Sequence, residues 1–183
     1  MIVKTMAELN KMKRFAAKFA LVIMCAMTFV SCTKEGINVF EGRYSYKISG
    51  LVSLIPSAYV NAPAAVSPTL VPLYPEQGQM HINVKDKDKN VVIISFNDIK
   101  GSVITADATI ESDEIIIGEG MFKTASVTDG TNKIGSGIVS YFASGKLYGN
   151  QIIMQLVYNG ELTLNGTKMT IVDSKIDCVA TRN

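Results

Sequence analysis

The sequence predicts an all-β fold, an antiparallel meander of eight to ten strands. Three observations predict it. Strand-length runs rich in Val, Ile, Thr, Tyr and Phe alternate with Gly, Asn and Asp turn signals from residue 40 onward. The first run has period two: Phe40, Gly42, Tyr44, Tyr46 and Ile48 share one face, and Glu41, Arg43, Ser45, Lys47 and Ser49 the other. No long helical pattern follows residue 32. A meander of this kind suits an up-and-down barrel, with a β-sandwich as the alternative.

The first strand has one wet and one buried face. Residues 51–78 differ, because all five prolines fall there: Pro56, Pro63, Pro68, Pro72 and Pro75. Proline donates no ladder hydrogen bond, so this stretch reads as a long apolar loop rather than a central strand. Hairpins follow. Residues 79–85 and 90–98 flank a charged tip, Asp86-Lys87-Asp88-Lys89-Asn90. Residues 102–110 and 114–122 flank Glu111-Ser112-Asp113, and strands near 134–143 and 151–158 follow Asp129-Gly130. Residues 162–164 and 167–171 bracket Asn165-Gly166, the strongest hairpin signal, since Asn-Gly suits a turn with two positive φ angles. A last strand spans 174–182.

Ahead of the strands lies a different pattern. The cations Lys13, Arg14 and Lys18 precede an apolar run of 12 residues, Phe19 to Val30, and then Ser31-Cys32. A membrane-spanning helix needs roughly 20 residues and a signal segment roughly 7 to 15. The order basic, apolar, small, cysteine resembles a bacterial lipoprotein signal peptide with its lipobox, with Phe29 standing where Leu is usual. The resemblance implies a helical signal peptide over 1–31 that is removed. It implies acylation of Cys32, a tether over 32–38, and a single β-barrel domain over 39–183 carrying the Pro-rich loop. It also implies a Gram-negative cell envelope, with the chain anchored to the outer membrane by its N-terminal lipid, on the periplasmic face or the cell surface. The other reading is an ordinary secretory signal that leaves Cys32 a free thiol. Met12 is an alternative start to Met1.

Of the 18 Lys and Arg, five fall within 1–31, as does one of the 16 Asp and Glu. Residues 32–183 therefore carry 13 cations and 15 anions, net −2. No basic patch suggests nucleic acid. Cys178 is the one cysteine beyond Cys32, so no cysteine-based zinc site is expected, and Cys178 reads as a small buried hydrophobe.

The first and last strands carry a second resemblance. Gly42-Arg43-Tyr44 is similar to the Gly-x-Trp of calycins, the lipocalin-like barrels, with Tyr in place of Trp. The last strand ends with Ile176, Cys178, Ala180 and Arg182 on one face. The resemblance implies a lipocalin-like barrel whose floor is closed by Tyr44, with Arg182 packed over it as a cation–π pair. The family's disulfide and helix are not visible.

Candidate chemistry is sparse. His81, the single histidine, alternates away from Met80, Ile82 and Val84 onto the wet face, and no nucleophile elbow accompanies it. Asp86-x-Asp88-x-Asn90 opens like a calcium loop, yet Val91 stands where glycine is needed and Asn97 where glutamate is. Glu119 lies between Gly118 and Gly120, which reads as a bulge. Tyr44, Tyr46, Tyr141 and Tyr158 read as core. No catalytic residue, cofactor or metal is expected. The leading expectation is non-enzymatic binding of a small apolar ligand inside the barrel, with Tyr59 and Tyr74 facing inward near its open end. The alternative is an interaction subunit of an envelope complex with a filled barrel. A carboxylate-based hydrolase is the third, and it requires two close inward carboxylates with raised pKa values.

Overall fold

The computed structural model describes residues 36–62 and 66–183. The expected signal peptide, Cys32 and Pro63 lie outside the described residues. Among the described residues nine strands form one sheet: β1 (Gly42–Pro56), β2 (Thr69–Pro72), β3 (Glu76–Asp86), β4 (Val91–Asp98), β5 (Val103–Glu111), β6 (Glu114–Thr128), β7 (Lys133–Tyr148), β8 (Gln151–Leu164) and β9 (Thr167–Arg182). Every pairing is antiparallel and follows chain order from β3 to β9. β1 then pairs with β9 from Tyr44↔Arg182 to Pro56↔Met169, which closes the ring. A single closed sheet is a barrel, so the sandwich alternative falls away.

The alternation read in the first run sets the wall. Tyr44, Tyr46, Ile48, Val52 and Leu54 of β1 are buried, and Arg43, Ser45 and Lys47 between them are exposed. The same rhythm puts Met80 and Ile82, Val92 and Ile94, Ile152 and Met154, and Cys178 and Ala180 inside. Each large apolar side chain buried in this way contributes about 1.5–3 kcal/mol. Strand-to-strand approach is close where glycine faces a neighbouring backbone. A Cβ on Gly78 would overlap the Asn97 carbonyl oxygen, and one on Gly137 the Glu161 carbonyl oxygen.

One end of the barrel is closed by a 3-10 turn, Gly36–Val39, through Ile37 and Phe40, both buried. Among the described residues this turn, from Gly36, packs into the barrel core. The sequence assigns Ile37 to the tether and Phe40 to the first strand, whereas β1 begins at Gly42 and both side chains belong to the plug.

Residues 51–78 correct the sequence reading. They are not one loop: β1 continues to Pro56, β2 pairs with Leu51–Leu54, and β3 begins at Glu76. The prolines sit where no donor is needed, Pro56 and Pro72 ending strands and Pro75 between two. β2 and β3 share β1 between them, β2 on its second half and β3 on its first. At the break Leu73 bridges to Val127 of β6, and the Tyr74 N–H donates to the Ser126 carbonyl oxygen at 2.8 Å.

The last strands also differ from expectation. β8 and β9 run unbroken, where the sequence suggests two pieces each. Irregular pairing between Leu156 and Glu161 absorbs the phase change that interrupts the alternation. The hairpin between them is the expected one, with Asn165 at φ 48° and Gly166 at φ 82°.

Candidate functional site

The barrel interior holds two polar constellations. The first is the floor. Tyr44 on β1 stands opposite Arg182 on β9, and the guanidinium carbon lies 5.1 Å from the ring centroid. Arg182 Nη2 donates to Tyr44 Oη at 2.5 Å and to the Val39 carbonyl oxygen. The Tyr44 hydroxyl in turn donates to the Phe40 carbonyl oxygen at 2.7 Å. Gly42 lies against the pair: a Cβ there would stand in ordinary contact, 3.4 Å from Arg182 Nε and 3.6 Å from the Tyr44 ring. The result is a clamp that ties first strand, last strand and plug together. Burial raises the Tyr44 pKa despite the guanidinium beside it.

The second constellation lies higher in the barrel and was not flagged by the sequence. Lys123 of β6 points inward, its side chain 4% exposed, and its Nζ meets Glu76 Oε2 of β3 at 2.5 Å. Tyr46 donates to the other carboxylate oxygen, Oε1, at 3.3 Å. The ammonium lies 5.9 Å from the Tyr158 ring centroid, and Tyr158 meets Tyr141 edge-on at 6.2 Å. Tyr46 meets Phe96 edge-on at 5.3 Å. A buried ammonium needs a partner and polar or π neighbours to offset its lost hydration, and this one has Glu76 as partner and the Tyr158 ring as π neighbour.

Electrostatics in this cluster favour protonated hydroxyls and a protonated thiol. Burial, and then the Glu76 carboxylate, push Tyr46 and Tyr158 well above the ordinary tyrosine value. The same two causes push Tyr141 up to about 12. Burial raises the Cys178 thiol to about 12, with Lys123 pulling against it and Glu76 adding to it. Such a thiol is not a nucleophile at neutral pH. Asp98, whose charge also reaches Tyr46, is held below its ordinary value first by the Ser102 N–H and also by that of Lys100.

Little free space remains. The void edged by Ile48, Glu76, Phe96, Lys123, Tyr141 and Leu156 amounts to about 10 Å³. That is room for about one water, not for a ligand.

The other residues singled out in the sequence separate by place. Tyr59 and Tyr74 are exposed, 44% and 47%, and do not face inward as expected. Tyr59 closes a 3-10 turn, Ser57–Tyr59, beyond the end of β1, and Tyr74 falls in the break between β2 and β3. His81 is half-buried on the outer side of β3, opposite Ser95. Asp86 caps its own turn, accepting from the Asp88 and Lys89 N–H groups, with Lys89 as its ion partner at 3.3 Å. Among the described residues no group of three or more His, Cys, Asp or Glu is placed to hold a metal ion. Among them, too, no helix is long and apolar enough to cross a membrane.

No protein-family model matches the chain, and no curated protein matches it. What the molecule does therefore rests on its own residues. Counting in twos from Ile115 and Ile117 runs through the bulge at Gly118-Glu119-Gly120, three residues that face only Phe142 across the ladder, and reaches Lys123, Ala125 and Val127, because three residues against one add two and keep the parity. The expected strand stops at 122, one residue short of Lys123, so the inward lysine is missed.

Proposed function

We propose that the chain is a non-enzymatic, lipid-anchored protein of the cell envelope whose barrel engages a protein partner through its outer surface. One observation supports the choice of partner over cargo: among the described residues the void beside the Glu76–Lys123 pair is only about 10 Å³. A barrel packed with side chains has no room for an apolar ligand. The reading takes the membrane address from the basic, apolar and Ser31-Cys32 segment, with Cys32 acylated and the outer membrane as its site. A hydrolase needs a carboxylate with a raised pKa, whereas Asp98 is lowered and Glu76 is tied to an ammonium.

The test uses the full chain extracted in detergent from its native envelope. Intact mass is measured under denaturing and then native conditions. Acylation predicts a chain that starts at Cys32 with added acyl mass, and a Cys32→Ser variant that leaves the membrane fraction. The filled barrel predicts the same protein mass in both measurements. A reproducible small-molecule mass lost on denaturation would overturn the choice of partner over cargo. A chain that starts elsewhere with no acyl mass would overturn the anchor.

A further inference from the structure

We infer that the split between β5 and β6 is a docking slot for an extended segment of a protein partner, which enters as an added strand. This rests on the proposed interaction role and says where on the barrel that role is performed.

The ladder between β5 and β6 is short. It runs from Glu111↔Glu114 to Ala108↔Ile117 and stops. Continued in the same register, it would set Val103 opposite Phe122. Instead β5 keeps Val103–Asp107 bonded on one side only, to β4. From Met121 upward β6 is bonded on one side to β7, and its other side is first met at Ser126 and Val127 by the break between β2 and β3. Two strand edges thus face a cleft of about 370 Å³, edged by Ile93, Thr105, Asp107, Gly118, Glu119 and Met121. Unpaired edges of this length are templates for a further strand, and proteins ordinarily blunt them with lysine, proline or a covering segment.

Gly118 is a second, independent observation. Among the described glycines it alone combines an ordinary φ with open space, since a Cβ there would meet nothing within 4 Å. Neither turn geometry nor packing requires a glycine, which costs about 0.5–1 kcal/mol in a strand. Gly118 opens the bulge of β6, and a strand glycine there leaves room for another backbone to approach.

The lining states the partner's chemistry. Val103 and Phe122 are 62% and 64% exposed on the outer face of the two edges. Asp107 and Glu119 put two carboxylates at the cleft, and only Asp107 has an ion partner among the described residues, Lys85 at 2.5 Å. The fitting occupant is a stretch of about five residues, the length of the free β5 edge. Its apolar side chains alternate outward against Val103 and Phe122, and a Lys or Arg reaches Glu119.

The probe is a display library of random octapeptides selected on the full chain in detergent. Expected are selected peptides with alternating apolar residues and a basic residue that protect the amides of 103–107 and 121–125 from hydrogen exchange. Their binding should weaken at least tenfold in Gly118→Val and in Glu119→Lys, and on N-methylation of alternate peptide amides. Gly118→Val should melt no lower than the parent chain, since its side chain enters open space. Three results would overturn the slot: protection of both edges in the free protein, selected peptides indifferent to Gly118→Val, or self-association abolished by that variant, which would make a second copy the occupant. None of them bears on the acyl or bound-ligand masses, so failure here is distinguishable from failure of the anchor or of the filled barrel.

Discussion

An ammonium inside a barrel loses its hydration, and Lys123 meets Glu76 as its ion partner and the Tyr158 ring beside it, while Tyr46 donates to the same carboxylate. The pair therefore specifies more than it stabilises. Glu76→Leu strands the ammonium and should cost about 3–5 kcal/mol in denaturant unfolding. Adding Lys123→Met to that variant should return stability to within about 1 kcal/mol of the parent, because an apolar pair of similar volume replaces the ionic one. A double variant as unstable as the single one would mean that the pair contributes net stability. Arg182, by contrast, was legible in the sequence. The alternation from Ile176 to Arg182 is unbroken, so counting in twos carries it to the face that Tyr44 occupies. Lys123 lies on a similar count from Ile115 and Ile117, since the bulge adds two residues and keeps the parity, but the expected strand stops at 122, one residue before it.

The strands that sequence pattern locates best are those whose neighbours impose no bend. β3, β4 and β5 fall within a few residues of the expected spans, and the Asn165-Gly166 turn has the positive φ angles its residues favour. β9 reads as two pieces because an extra residue between Ile171 and Ile176 shifts its side-chain phase from odd to even positions. Residues 51–78 were hidden by their prolines, which look like interruptions until the strand ends that hold them are known. The element scale also carries a steric prediction. Gly137 of β7 faces the Glu161 carbonyl of β8, and Gly137→Ala forces that oxygen aside. A loss of about 2–3 kcal/mol is expected. Gly118→Ala, with no atom in its way, should lose nothing, so the two thermal melts together separate crowding from strand propensity.

At the scale of the whole molecule the core titrates as a unit. Tyr44, Tyr46, Tyr141, Tyr158 and Cys178 all have folded pKa values raised above the ordinary 10.0 of tyrosine and 9.0 of cysteine, first of all by burial. Groups raised in this way give stability that is full below their ordinary values and lost as pH rises through the folded ones. Stability should therefore hold from neutrality to about pH 9 and fall between there and about 12. Tyrosinate absorbance of the four core rings should appear together with unfolding rather than before it. Core rings that ionise while the barrel stays folded would contradict this account of the interior.

The clamp between Tyr44 and Arg182 joins residues 138 positions apart in the chain. Its consequence concerns order in time. β1 is the first strand to be made and β9 the last, yet β9 is the strand β1 pairs with along most of its length. A contact of that sequence separation is slow to find, and nothing nearer in the chain can substitute for it. During folding the long edge of β1 thus waits unpaired for the sixteen-residue β9 to arrive. The interval before closure is when this strand edge is most exposed to wrong pairing, and the Tyr44–Arg182 contact marks its end.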